Sequence, residues 1–186
     1  MDGRAAPSAD VLARAAKVRL ACFDVDGTLT DGRLHFDAQG GETKSFHVHD
    51  GQGLVLLRKA GIHVALITAR ASAAVERRAA ELGIEAQCAV ADKLAAVAGL
   101  CARHGLDMDE VAFMGDDLPD LAAMRAAGLA VAPANAHAWT AREAHWRTAA
   151  RGGDGAAREL CDLLLAAHGA VDGLLQAPAA ADGRRA

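Results

Sequence analysis

The sequence predicts an α/β protein built on one parallel sheet with helices on both faces, and three observations carry that prediction. Short apolar runs alternate with alanine-rich helical patterns along most of the 186 residues. Most of these runs are apolar without interruption, so neither face of the sheet meets water. Several helical patterns close on a glycine, at Gly61, Gly83, Gly105 and Gly128. An open, Rossmann-like parallel sheet accommodates such a strand-helix-strand succession most economically.

In chain order, residues 1–17 read as an N-terminal helical extension and residues 18–168 as the main domain. VRLACFDV (18–25), HVALIT (63–68), AQCAV (86–90), VAFMGD (111–116) and GLAVAP (128–133) read as strands. Residues 52–60, 71–82, 92–104, 118–126 and 134–144 read as helices between them. One segment breaks the alternation: RLHFD, AQGG and ETKSFHVHD read as a polar hairpin at 33–49, projecting just after the first strand. GGDGAARELCDLLLAAHG gives a turn and an amphipathic helix, and 169–186, ending APAAADGRRA, reads as a disordered tail.

Composition removes several classes of function. With 52% hydrophobic residues and a formal charge of -4, the chain can bury one sizeable core and offers no basic surface. Slight acidity and 3% aromatics argue against nucleic acid, which needs phosphate contacts and stacking. Cys22, Cys88, Cys101 and Cys161 lie far apart without a CxxC pair, so no zinc site or disulfide framework is expected. The charged N-terminus lacks a signal-peptide core and no apolar run reaches spanning length, so no membrane and a cytoplasmic location are expected.

The chemistry gathers at strand ends. In an open parallel sheet, ligands bind beyond the carboxyl ends of the strands. The first strand delivers Asp24 and Asp26 there, the second Thr68 with Arg70 behind it; Lys93 follows the third; the fourth delivers Asp116 and Asp117, with Asp120 a turn on. Asp24, Asp26 and Asp116 converging at one edge repel one another unless a hard dication joins them, and magnesium takes such oxygen ligands while keeping room for a phosphate. Gly27 permits a bend that turns the Asp26 carbonyl to the metal and leaves its side chain free to move a proton. Asp24 then attacks phosphorus, Asp26 protonates the leaving oxygen and activates water, and Thr68 and Lys93 hold the phosphoryl oxygens. A lone Asp-x-Asp-Gly is usually a turn, and a lone Thr or Lys after a strand usually a cap or a solvated charge. It is their joint order along successive strand ends that points to catalysis.

Those four blocks, DVDGT, ITAR, the lysine of ADK and GDDLPD, resemble the haloacid dehalogenase superfamily. DVDGTLTDG, FHVHDGQGL, GDDLPDLAAMRAAGLAVAPANAH and GGDGAARELCDLLL are together similar to the 3-deoxy-D-manno-octulosonate 8-phosphate (KDO 8-phosphate) phosphatases of lipopolysaccharide synthesis, from about Val18 to His168. The resemblance implies a magnesium-dependent phosphatase with Asp24 as nucleophile, Asp26 as acid/base, Asp116 as metal ligand with Asp117 and Asp120 supporting, and Thr68 and Lys93 on the phosphate. Thr28, Arg70, His49, Asp50 and Gly51 are the candidates for substrate contacts. Three positions depart from the family pattern: His49 stands for an arginine, Ala69 for the glycine of Thr-Gly-Arg, and Asp154 for a basic residue in the Gly-Gly-x-Gly turn.

His47 and His49 share a strand face on this reading, with His35 across the hairpin. No cysteine or second tight pair completes a metal set, so they read as surface or interface histidines. A phosphatase for a nine-carbon keto-sugar phosphate or another small ester is the nearest alternative. A phospho-receiver module is a more distant one, but no aspartate closes AQCAV where a receiver carries its phosphorylated residue, and Asp26 stands beside Asp24. A non-catalytic scaffold would not keep the full acid, lysine and metal set. The gaps between Asp24, Thr68 and Lys93 leave no room for a cap domain, so the fold is expected to be capless. The family resemblance implies a homotetramer, in which the hairpin, the Gly-rich turn at 152–155 and the segment beyond Arg151 are available to cover a neighbour's small phosphosugar site.

Overall fold

The computed structural model describes residues 6–176. The chain runs α1 (Ala9–Ala15), β1 (Leu20–Phe23), β2 (His35–Phe36), β3 (Glu42–Thr43), α2 (Val48–Lys59), β4 (His63–Ile67), α3 (Ala73–Leu82), β5 (Glu85–Gln87), α4 (Lys93–His104), β6 (Val111–Met114), α5 (Leu121–Ala126), β7 (Leu129–Ala132), α6 (Ala138–Ala141), β8 (Trp146–Arg147), α7 (Ala156–Ala167) and α8 (Val171–Gln176). Short 3-10 turns at Met108–Glu110 and Leu118–Asp120 precede β6 and α5.

Six strands form a parallel sheet in the order β5-β4-β1-β6-β7-β8, and β2 and β3 make a separate antiparallel hairpin. β1 pairs with β4 on one side and β6 on the other, so the direction of winding reverses there. That reversal opens a crevice beyond the carboxyl ends of β1 and β6.

Strand alternation sorts the core into two layers. Leu20, Cys22, Ile67, Val111 and Phe113 pack on one face with Val97 and Leu100 of α4 and Ala123 and Met124 of α5. Ala21, Phe23, Leu66, Ala112, Met114 and Val131 pack on the other with Leu54 and Leu57 of α2, Val75 of α3 and Leu160 and Leu164 of α7. Because both faces are covered, β1, β4, β6 and β7 carry no polar alternation, which is why they read so plainly as apolar runs.

Local differences from the sequence expectation have local causes. α2 begins at Val48, so His47 is its N-cap and His49 lies in its first turn; the two do not share a strand face. The alternation of FHVHD mimics a strand, but Asp50 in that first turn accepts hydrogen bonds from Gly155 N (3.3 Å) and Arg158 N (2.8 Å), tying α2 to the start of α7. The helix expected at 134–144 shrinks to α6, because Asn135 is held in a bridging loop described below. β8 escaped the sequence reading: it is two residues long. In the stretch 169–186, α8 forms where a disordered tail is expected, and residues 177–186 lie outside the described residues.

Much of the segment beyond Arg151 belongs to the core of its own domain. α7 buries Leu160, Leu163, Leu164 and Leu165 in its own core, and at roughly 1.5–3 kcal/mol per fully buried leucine its removal would unfold the domain. The Gly-rich turn is likewise committed within its own chain: Gly153 N donates to Thr28 O (3.1 Å).

Candidate active site

The loop after β1 is shaped by close backbone approaches. Gly27 has φ +93°, and a Cβ there would lie 2.1 Å from Asp116 Oδ2, so only glycine lets the loop lie against that carboxylate. Thr30 Oγ1 accepts from Gly27 N (3.3 Å) and Gly32 N (3.2 Å), which closes the turn. From outside, Asn135 Nδ2 donates to Gly27 O (3.1 Å) while Asn135 Oδ1 accepts from Gly152 N (2.6 Å). Gly152 approaches so closely that a Cβ would stand 1.8 Å from Gly27 O. Asn135 and Gly152 are therefore supports of the site; both lie within motif stretches of the sequence, but their role as braces of the Gly27 loop shows only in the fold.

At the end of β1, Asp24 is buried, and its N–H donates to Met114 O (2.9 Å) of β6. Lys93, the first residue of α4, places Nζ 2.5 Å from Asp24 Oδ1 and 2.5 Å from Asp120 Oδ1. The other Asp120 oxygen accepts from Asp116 N (3.0 Å) and Asp117 N (3.2 Å), so Asp120 splints the loop after β6 to the lysine. Asp117 turns outward, its carboxylate accepting from Leu118 N (2.8 Å). Thr68 is buried just past β4, and its hydroxyl accepts from Arg70 N (3.2 Å).

These groups line an open cleft of about 310 Å³ that holds Asp24, Asp26, Thr68, Arg70, Lys93, Asp116, Asp117 and Asp120. The other expected substrate contacts lie elsewhere. Thr28 is fully buried with its hydroxyl unpartnered. His49 is exposed at the start of α2. Asp50 caps α7. At Gly51, the space a Cβ would take is filled by the Arg78 guanidinium, 2.1 Å away.

The electrostatics of the cleft point to a cation. Burial first, and the Asp120 charge second, push the Asp24 carboxyl up to about 8 against the pull of Lys93. Burial and then Asp120 raise Asp116 to about 6. Burial draws Lys93 down, but Asp24 and Asp120 outweigh it and hold the ammonium above its ordinary range. Asp24, Asp116 and Asp120 offer oxygens all within 4.8 Å of one another. Buried carboxylates crowded around one ammonium fit a hard, oxygen-liganded dication, whose charge relieves their repulsion.

The hairpin also reaches the cleft. Lys44, following β3, pairs with Asp26 Oδ1 and with Glu42 Oε1 (2.9 Å). Arg70 Nη2 holds Glu42 Oε2 at 2.6 Å. Hydrogen bonds from Arg70, then Lys44, draw the Glu42 carboxyl down to about 2. The motifs along the parallel strands contain neither Glu42 nor Lys44, because both belong to the hairpin arm; opposite charges two residues apart at the end of β3 are the signal that could have shown them.

A parallel sheet with its switch point at β1, a buried Asp24 under Lys93, and Asp26 two residues on define a haloacid dehalogenase-like hydrolase. The family model of that description matches residues 89–160. The 3-deoxy-D-manno-octulosonate 8-phosphate phosphatase KdsC of Yersinia pestis is 43% identical over 165 residues, 88% of each chain. The chain belongs to this phosphatase family. Among solved structures, a hypothetical protein from Xanthomonas campestris matches at TM-score 0.89 with 62% identity, covering 90% of this chain and 92% of that one. The Moraxella catarrhalis phosphatase, solved with magnesium, phosphate and KDO, matches at TM-score 0.87 with 41% identity, covering 89% of this chain and 96% of that one.

Proposed function

We propose that the chain is a magnesium-dependent phosphatase that hydrolyses KDO 8-phosphate to KDO and phosphate. The observation that carries the reading is the Asp24-Lys93-Asp120 arrangement at the switch point of a sheet that overlays a relative solved with magnesium, phosphate and KDO. Asp24 and Asp116 with the Asp26 carbonyl would hold the ion, Asp117 and Asp120 supporting them, and magnesium supplies charge stabilisation to the phosphoryl oxygens when bound.

Asp24 is the nucleophile. Its carboxylate oxygen bonds to phosphorus as the bond from phosphorus to the sugar oxygen breaks, leaving an aspartyl phosphate. Asp26 gives a proton to the departing sugar oxygen, then takes one from the water that attacks the aspartyl phosphate, so phosphate leaves and both carboxyls return to their starting states. Lys93 and Thr68 hold the phosphoryl oxygens as charge shifts, and Lys93 opposes the burial that raises the Asp24 carboxyl. Arg70, in the cleft wall, is the substrate contact this reading retains.

The enzyme works as a homotetramer in the cytoplasm. Leu34, Phe36 and Val48 are 46%, 59% and 71% exposed along the hairpin and the start of α2, an apolar surface suited to another copy of the chain. Among the described residues no helix is long and apolar enough to cross a membrane, and the four cysteines are free.

Phosphate release from KDO 8-phosphate, a nine-carbon keto-sugar 9-phosphate and p-nitrophenyl phosphate tests the substrate. KDO 8-phosphate should give the highest kcat/KM. Preference for the nine-carbon ester would replace the substrate, and no turnover of any ester would remove the activity.

A further inference from the structure

Asp26 has two unlike oxygens. Oδ1 is taken by the Lys44 ammonium, whereas Oδ2 is buried with no hydrogen-bond partner. Arg70 Nε stays 4.0 Å from it. Lys44 is itself fixed: its side chain is 2% exposed and Glu42 holds it from the far side, with Arg70 and Ser72 Oγ (3.3 Å) holding Glu42 in turn. Asp26, Lys44, Glu42 and Arg70 thus form a ring of alternating charges that pins the hairpin across the cleft of its own chain.

A carboxyl that hands a proton to a leaving oxygen needs one oxygen directed at that atom, and small misplacements are costly. A buried, unpartnered oxygen is expensive to keep, and one at the edge of a reactive cleft is available to meet a group of the substrate. We propose that Lys44 is a positioning residue: anchored on Glu42, it holds Asp26 Oδ1 so that Oδ2 meets the leaving oxygen of the ester. The inference rests on reading Asp26 as the acid. It makes hairpin docking a condition for proton delivery, because Lys44 leaves Asp26 whenever the hairpin swings away.

The test compares an alkyl phosphate that the wild type turns over with p-nitrophenyl phosphate, whose leaving group needs no proton. Lys44→Met should lower the single-turnover rate of aspartyl-phosphate formation from the alkyl ester by roughly 10- to 100-fold, part of the ~10²–10⁴ a positioned acid contributes, and leave KM and the nitrophenol burst rate within about threefold. Lys44→Arg should recover most of the alkyl rate. Glu42→Gln should move the ratio of the two rates the same way by less. An equal loss in that step on both esters, or a raised KM with its rate unchanged, overturns the proposal. If Lys44→Met does not fold, the Glu42→Gln ratio decides, and an unchanged ratio there overturns it equally. Asp26→Asn is run alongside. Leaving-group dependence in Asp26→Asn but not in Lys44→Met sinks the positioning role alone. Its absence from both sinks the acid assignment as well.

Discussion

The Lys93 ammonium stands 2.5 Å from Asp24 Oδ1, and Asp120 takes the same ammonium from the other side at 2.5 Å. One lysine thus serves two buried carboxylates, and removing it differs from removing either acid. Lys93→Met should cost about 10²- to 10³-fold in kcat, as loss of a charge stabiliser does. It should also destabilise the metal-free protein by about 3 kcal/mol, because breaking a buried pair strands its partners. Urea unfolding in chelator at pH 8 checks the second part; unchanged stability would mean the carboxylates find other partners.

Asp24→Asn should behave in the opposite sense. Turnover is lost because an amide cannot form the aspartyl phosphate. Stability in chelator should hold or rise, since the burial and the Asp120 repulsion that push this carboxyl up to about 8 disappear with its charge. Thermal melts beside activity assays read both, and retained turnover would remove Asp24 as nucleophile.

Asp26→Asn addresses the second half of the reaction. A positioned acid contributes about 10²- to 10⁴-fold, so sugar-phosphate turnover should fall by that order. Formation of the aspartyl phosphate from p-nitrophenyl phosphate should fall far less. Rapid-quench measurement of the nitrophenol burst separates this step from hydrolysis, and an equal loss on both esters would contradict the assignment.

Cation binding should depend on pH in a definite direction. Asp24 and Asp116 titrate near 8 and 6 without metal, both raised chiefly by burial. Protons therefore compete with magnesium below those values, and binding releases them. Magnesium affinity should weaken as pH falls from about 8 to about 6, with net proton release per ion bound. Calorimetry in buffers of different ionisation enthalpy measures both; affinity flat across that range would place the ion elsewhere.

Sheet and catalytic edge were legible because the central strands β1, β4, β6 and β7 are buried on both faces and three reactive residues sit just past a strand end: Phe23 then Asp24, Ile67 then Thr68, Met114 then Asp116. What escaped depends on contacts between segments distant in sequence. Asn135 and Gly152 act only through Gly27, and Asp50 reads as a ligand candidate until Gly155 and Arg158 claim it. Val48 and His49 look like strand residues because alternation is locally identical whether a helix or a strand follows. The tertiary bond from Asp50 to α7 decides the matter.

The hairpin carries the last prediction. Its two-residue strands pair with each other and with nothing else among the described residues, while Phe36 projects 59% exposed beside Leu34. Lys44 fixes the inner side of the hairpin to its own active site, so the outer side is the one left to meet another chain. Light scattering should report four copies of the 19.1 kDa chain. Phe36→Ser removes the largest apolar contact without touching the Asp26-Lys44 pair, so it should yield smaller species. In these the cleft is less shielded from water, and screening should weaken the hold on the sugar phosphate. KM should rise severalfold on the sugar ester and change little on p-nitrophenyl phosphate. A monomeric wild type with full activity would show that the cleft works uncovered, and Phe36→Ser tetramers with wild-type KM would move the interface off the hairpin.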